Sequence, residues 1–97
     1  MVDLPSLRID LIRAKEMHEE VSNFLKEVNS DYHEIAAKTL AVRIEMQIID
    51  TINKAISKLD IISSFGIENM PKEIISKWIK QINSALAYGG EYIDLKN

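Results

Sequence analysis

The chain has 97 residues and no cysteine, and its 15 acidic and 12 basic side chains give a formal net charge of −3. A chain of this size is expected to form one domain over residues 1–97, without a disulfide framework or a cysteine-based zinc site. Its apolar runs are a few residues long, far short of the roughly 18 that a membrane span needs. The start shows no pattern of a secretory signal, so we expect a cytoplasmic protein that does not enter a membrane.

The acidic side chains are concentrated in the first half of the chain. Residues 1–50 carry ten acidic and six basic side chains, whereas residues 51–97 carry five and six. Nucleic-acid binding depends on a concentrated positive surface that contacts phosphates. The charge distribution therefore disfavours a general nucleic-acid-binding protein.

Glycine and proline divide the chain into three long uninterrupted segments. They occur only at Pro5, Gly66, Pro71, Gly89 and Gly90. Between them, apolar residues recur with helical periodicity over more than 20 residues, a length that strands rarely reach. We predict an all-α fold, an antiparallel bundle of three long helices at about residues 5–28, 31–64 and 70–88, which dimerisation would complete.

The first segment has apolar residues at alternating spacings of three and four, the pattern of a helix that packs along another helix. His18 is the only polar residue in this stripe. Ile12, Met17 and Phe24 lie beside the stripe and widen it, so we expect the helix to contact two neighbours. The stripe consists of Leu4, Leu7, Leu11, Ala14, His18, Val21, Leu25 and Val28.

A second helix is expected after Asn29, Ser30 and Asp31, because these are capping residues and Asp31 and Glu34 have the spacing of a capping box. At about 48 Å it would exceed the first helix, at about 37 Å, so it either breaks near Asn53 or projects beyond its partner. Two apolar stripes predict two packing surfaces. One stripe is Ala37, Ala41, Ile44, Ile48, Ile52, Ala55, Leu59 and Ile62, and the other is Ile35, Val42, Met46, Ile49 and Ile56.

Gly66 is placed to end the second helix in a left-handed conformation, and Asn69 followed by Pro71 is typical of the start of the next helix. A third apolar stripe then predicts a helix that ends at Gly89 and Gly90. The remaining residues 91–97 are expected to be partly mobile, although Tyr92, Ile93 and Leu95 are apolar. The third stripe consists of Ile75, Trp78, Ile82 and Ala85, with Ile74, Ile79 and Leu86 beside it.

Arg13 and His18 are separated by four residues, and this Arg-x4-His spacing resembles that of the HEPN ribonucleases. Those proteins are helical bundles in which an Arg and a His from each protomer meet at a dimer interface. Over these six residues, the resemblance implies that Arg13 polarises a phosphate while His18 acts as general acid or base. In the alternative interpretation, Arg13 is solvated and His18 is a seam histidine that hydrogen-bonds a neighbour or a partner chain.

No metal site and no cofactor are predicted. His18 and His33 are the only histidines, and neither has a Glu or His three or four residues further on, as a helical metal site would require. Gly89 and Gly90 are not followed by the Lys and Ser or Thr of a phosphate-binding loop.

Five lysines in the second half form a candidate basic strip near the aromatic Trp78. Asp60 and Glu73 interrupt the strip, so it would give only weak, salt-sensitive contact with nucleic acid. The lysines are Lys54, Lys58, Lys72, Lys77 and Lys80.

The predicted apolar surface is larger than a 97-residue bundle needs for its own core, and such an excess is typical of an interface. We therefore expect a non-catalytic protein–protein interaction module, a small accessory or adaptor subunit that forms a homodimer or joins a larger complex. A HEPN-like ribonuclease is the alternative, and a weakly nucleic-acid-associated protein is the second alternative. Methionine and aromatic residues suit interface cores, so the predicted contact residues are Val42, Met46, Ile49, Ile56 and Trp78.

Overall fold

The structure is a computed structural model that describes residues 3–28 and 32–89. Three α-helices make up most of this part: α1 (Leu4–Glu27), α2 (Tyr32–Phe65) and α3 (Lys72–Leu86). Short 3-10 turns follow α2 at Ile67–Asn69 and α3 at Ala87–Gly89. The predicted all-α bundle of three helices is confirmed, and each predicted boundary lies within two residues of the observed one. The predicted cap at Asn29, Ser30 and Asp31 and the apolar residues of the segment 91–97 lie outside the described residues.

Asp3 caps the start of α1. Its carboxylate accepts a hydrogen bond from the backbone N–H of Ser6 at 3.3 Å and another from the Ser6 hydroxyl at 2.6 Å. The first backbone N–H groups of a helix have no partner within the helix, so a side-chain acceptor here stabilises the first turn. The hydrogen bonds from the Ser6 hydroxyl and backbone hold the pKa of Asp3 below its ordinary value of 3.8.

Gly66 ends α2, as the sequence predicts. Its φ is +83°, and its N–H donates to the carbonyl of Ile62 at 2.8 Å. A Cβ at this position would lie 2.7 Å from a carboxylate oxygen of Glu68, which can move aside, so the backbone conformation is what favours glycine.

The expectation that Asn69 caps the start of the third helix is wrong. The Asn69 side-chain amide donates to the carbonyl of Phe65 at 2.7 Å, and it therefore caps the end of α2. Pro71 occupies the position before the first residue of α3 and makes no side-chain capping hydrogen bond. Asn69 lies three residues before Lys72, too early in the chain to serve as the cap of α3.

Two hydrogen bonds from side chains show that α1 and α2 are antiparallel. Near the start of α1, Arg8 Nε donates to Asp60 Oδ1 at 2.9 Å. At the other end, the Lys38 ammonium donates to the carbonyl of Val28. The chain therefore reverses direction between α1 and α2. A contact between Lys58 and Gln81 shows that α3 packs beside the last part of α2.

The apolar core occupies only one half of the helical hairpin that α1 and α2 form. In α1 the buried apolar residues end at Ala14, and in α2 they begin at Ile52. We call residues 4–17 and 49–65 the near half, and residues 18–28 and 32–48 the distal half. The core consists of Leu11, Ala14, Ile52, Ala55, Leu59, Ile62, Ile82 and Ala85.

The lengths of the helices explain where the core stops. The 34 residues of α2 extend about 51 Å without a break, whereas the 15 residues of α3 extend only about 22 Å. The long helix is thus continuous through Asn53. Because α3 lies along the near half alone, the apolar stripes of α1 and α2 become buried there and remain largely exposed beyond it; Ile44, for example, belongs to the predicted inward stripe and is exposed.

Asp3→Ala should lower the melting temperature at neutral pH, because the first turn of α1 loses its acceptor. A carboxylate whose pKa is lowered by folding stabilises the fold above its unfolded pKa, here about 3.8, and loses this effect as the pH falls through the folded pKa. The difference in melting temperature between wild type and variant, followed by circular dichroism, should therefore be constant near neutrality and shrink below about pH 3.8.

Asp3→Asn is the matched control, because it keeps a capping oxygen without the titratable group. Its difference from wild type at neutral pH should be smaller than that of Asp3→Ala. A wild-type advantage over Asp3→Ala that persists undiminished at the lowest measurable pH would contradict the assignment of Asp3 as a charged cap.

Candidate functional site

His18 lies where the near half meets the distal half, and it joins three elements. The residue belongs to the inward stripe of α1, four positions after Ala14, and it is 9% exposed. Its Nδ1 contacts Oε2 of Glu45 on α2, and its Nε2 contacts the backbone carbonyl of Tyr88, 2.9 Å away, in the 3-10 turn after α3. The rings of His18 and Tyr88 pack edge to face with centroids 6.2 Å apart.

The partners of His18 define what its ring does. A carbonyl oxygen only accepts, so Nε2 carries a proton and donates it to Tyr88. Nδ1 contacts the Glu45 carboxyl, and the side chain of Glu45 is 17% exposed. Both ring nitrogens are thus used in contacts within the chain, in agreement with a seam histidine that hydrogen-bonds its neighbours.

Arg13 and His18, the residues of the ribonuclease hypothesis, lie in different surroundings. Arg13 is exposed on α1, whereas His18 is buried. Five residues of helix rotate the two side chains by about 140°, which explains why they do not share a face. In this conformation neither nitrogen of His18 is available to exchange a proton with a bound RNA, because Glu45 and Tyr88 occupy both.

Val42, Met46 and Ile49, three of the predicted contact residues, follow one side of α2 from the distal half to the first residue of the near half. Met46 is 55% exposed, and the other two are partly buried. We call these three residues the Met46 surface. Two shallow grooves between α2 and α1 follow this side, and they share Lys26 in their linings. One, of about 220 Å³, is lined by Glu19, Ser22, Asn23, Lys26, Met46 and Ile49, and the other, of about 350 Å³, by Lys26, Ile35, Lys38, Thr39 and Val42.

Of the other two predicted contact residues, Ile56 lies in the near half and Trp78 lies on α3. Both are partly buried and pack against the core cluster. The structure therefore brings Val42, Met46 and Ile49 together, and it places Ile56 and Trp78 apart from them, around the core.

The five lysines of the proposed basic strip do not form a continuous row. Lys54 pairs with Asp50 at 3.0 Å, and Lys58 donates to Gln81 between α2 and α3. Lys72 and Lys80 line a pocket of about 550 Å³ beside the turn that precedes α3, together with apolar residues and Glu68. Lys77 is exposed on α3.

Within residues 3–28 and 32–89, no group of three or more histidine, aspartate or glutamate residues is arranged to hold a metal ion. The side chain of His33 is outside this description. None of the helices in the described part combines the length and the apolar character that a membrane span requires.

Glu45 is the residue of the His18 contact that sequence reasoning missed. It follows Ala41 by four positions and precedes Ile48 by three, so it continues an inward-facing stripe of α2. The available signal for this contact was a charged residue at an inward position of α2, since the apolar stripe of the facing helix α1 contains a single histidine. The carbonyl of Tyr88 had no signal, because a backbone group has no sequence signature.

Comparison with known proteins gives no match to any family model, curated protein or solved structure. The functional interpretation therefore depends on the geometry of this chain alone.

His18→Ala should lower the free energy of unfolding by about 3 kcal/mol, because it leaves the largely buried Glu45 carboxylate and the Tyr88 carbonyl without their donor. Denaturant unfolding of His18→Ala, Glu45→Ala and the double variant measures the coupling. The double variant should cost at least about 1 kcal/mol less than the sum of the single variants. Additive costs would show that the His18–Glu45 contact contributes nothing to stability.

The chain is expected to leave mixed RNA intact, because both nitrogens of His18 are engaged. Wild type, His18→Ala and Arg13→Ala should therefore give the same background in an RNA cleavage assay. Arg13→Ala is the more informative variant, since Arg13 is exposed and its replacement leaves the packing intact. Cleavage by the wild type that both variants lose would overturn this expectation in favour of the HEPN-like hypothesis.

Proposed function

We propose that the chain is a non-catalytic protein–protein interaction module, an accessory or adaptor subunit of the cytoplasm that binds partners through helix–helix contacts. The observation that carries this proposal is the position of the core. Every buried apolar side chain among the described residues lies in the near half or on α3, although the apolar stripes of α1 and α2 continue into the distal half. Exposed, contiguous apolar side chains are typical of an interface.

The Met46 surface supports a partner of particular chemistry. Val42, Met46 and Ile49 provide an apolar strip at helical spacing, the arrangement that receives an amphipathic helix. Lys26 and Lys38 line the grooves beside the strip. A matching helix would place its apolar stripe on Met46 and acidic side chains opposite the two lysines.

Ile56 and Trp78 have a supporting role in this proposal. They pack against the core cluster, to which both α2 and α3 contribute. A binding module needs no catalytic residue. In this proposal, His18 fixes the end of α3 against the hairpin.

The test is capture of protein partners from the native host by the tagged chain, with nuclease present. Met46→Glu should reduce capture of a stoichiometric partner at least tenfold, because a carboxylate would replace an apolar contact and lie near the acidic side chains of the partner helix. Gln47→Glu is the matched control, since it adds the same charge at the next position of α2 and should leave capture unchanged.

A folded Met46→Glu variant that captures the same partner at wild-type level would contradict the assignment of this surface. Recovery of nucleic acid alone would contradict the proposed function itself. Circular dichroism of each variant verifies that the helices are intact.

A further inference from the structure

The groove that α3 occupies between α1 and α2 continues beyond the end of α3. At the start of α1, Ser6 and the capping residue Asp3 line the same pocket as Ile79 and Ile82 of α3. Eighteen residues make five complete helical turns, so position 24 shares the side of Ser6 further along α1, and position 21 lies beside it, three residues earlier. These positions hold Val21 and Phe24, and Phe24 is 67% exposed.

The same relation holds on α2. Lys58 contacts Gln81 of α3, and Ile62 is buried in the core beside it. Five turns earlier on α2, these positions correspond to Leu40 and Ile44, both of which are exposed. The side of the hairpin that α3 covers in the near half is therefore an uncovered apolar side in the distal half of the described structure.

We call this surface the distal groove, and it is distinct from the Met46 surface. Leu40 and Ile44 precede Val42 and Met46 by two residues each, a rotation of about 200°, so the two surfaces lie on opposite sides of the hairpin. The distal groove is formed by Val21, Phe24, Val28, Leu40 and Ile44.

The composition of the distal groove favours a second copy of this chain as its occupant. In a two-fold interface each residue lies near its own counterpart, so like charges close to the axis repel each other. None of the five residues of the distal groove is charged, whereas Lys26 lines both grooves beside the Met46 surface. A second copy thus suits the distal groove and a partner with acidic residues suits the Met46 surface.

The lengths also fit a second copy. A second copy related by a two-fold axis perpendicular to the helices would place its distal groove against the distal groove of the first copy. The α3 helix of each copy would then lie outside the region where the two copies overlap. The five side chains are between 36% and 67% exposed, so two copies would bury at most on the order of 1,000 Å², near the lower limit for a specific interface.

We propose that two copies pair through their distal grooves, so that α1 and α2 of each copy form a four-helix bundle and the two Met46 surfaces face outward. This inference rests on the proposed function, since it assigns one of the two apolar sides of an interaction module to self-association. The module would then present two equivalent partner sites, one on each copy.

The test is the molar mass of the chain in solution, measured by light scattering over a range of concentrations. The wild type should approach twice its chain mass of 11.1 kDa. Leu40→Glu should weaken the dimer at least tenfold, because two carboxylates would enter an apolar interface. Met46→Glu is the matched control: its side chain is 55% exposed against 57% for Leu40, it lies on the opposite side of α2, and it should leave the mass unchanged.

Single cysteines give a second measurement that does not require Leu40→Glu to fold. The chain has no cysteine, so Phe24→Cys introduces one thiol near the expected axis and Met46→Cys introduces one away from it. Under oxidation, Phe24→Cys should form a disulfide-linked dimer much faster than Met46→Cys. Equal cross-linking of both variants, or a wild type that stays monomeric, would overturn the proposal.

The two proposals can fail separately. A monomeric wild type that still captures a partner through Met46 would overturn the pairing of copies and keep the interaction module. A dimer that Leu40→Glu dissociates, but from which no partner is captured, would support the pairing and count against the Met46 surface.

Discussion

The structure depends on one constraint, the difference in length between its second and third helices. A helix of 15 residues beside one of 34 can cover only part of the groove that α1 and α2 form, and a three-helix core exists only where all three are present. Everything that distinguishes the two halves of the hairpin follows from this. The near half has a closed apolar core, whereas in the distal half, among the described residues, two helices alone are present to bury the same periodic sequence.

His18 lies at the point where the third helix ends, and this position explains why a polar residue stands in an apolar stripe. The last carbonyls of a helix have no donors within the helix, so a ring N–H nearby can donate to one of them. His18 donates to the carbonyl of Tyr88 through Nε2, and Glu45 contacts Nδ1 on the other side of the ring. Leucine at this position would leave the Tyr88 carbonyl and the Glu45 carboxylate without a donor, so the three groups are best understood as one polar junction.

Much of the fold could be predicted from the sequence because glycine, proline and helical periodicity act locally. Gly66 ends α2 through its own backbone conformation, and the stripe from Ile52 to Ile62 is buried as its spacing predicts. The exposure of Val21 and Ile44 could not be predicted, because it depends on how far α3, which is distant in sequence, extends along the hairpin. Asn69 was assigned to the wrong helix for a related reason: a capping side chain between two helices can serve either one, and only the backbone geometry decides.

The uneven core also determines how the molecule opens. Local unfolding costs least where few apolar side chains are buried, so the backbone of the distal half is expected to exchange its amide hydrogens well before that of residues 52–62. A chain that docks on the distal half would add apolar contacts there. Binding would then reduce local unfolding of α1 and α2 beyond the polar junction at His18. The near half would be rigid without a partner, whereas the distal half would become rigid only on binding. Binding would therefore be detected as slower amide hydrogen exchange in the distal half.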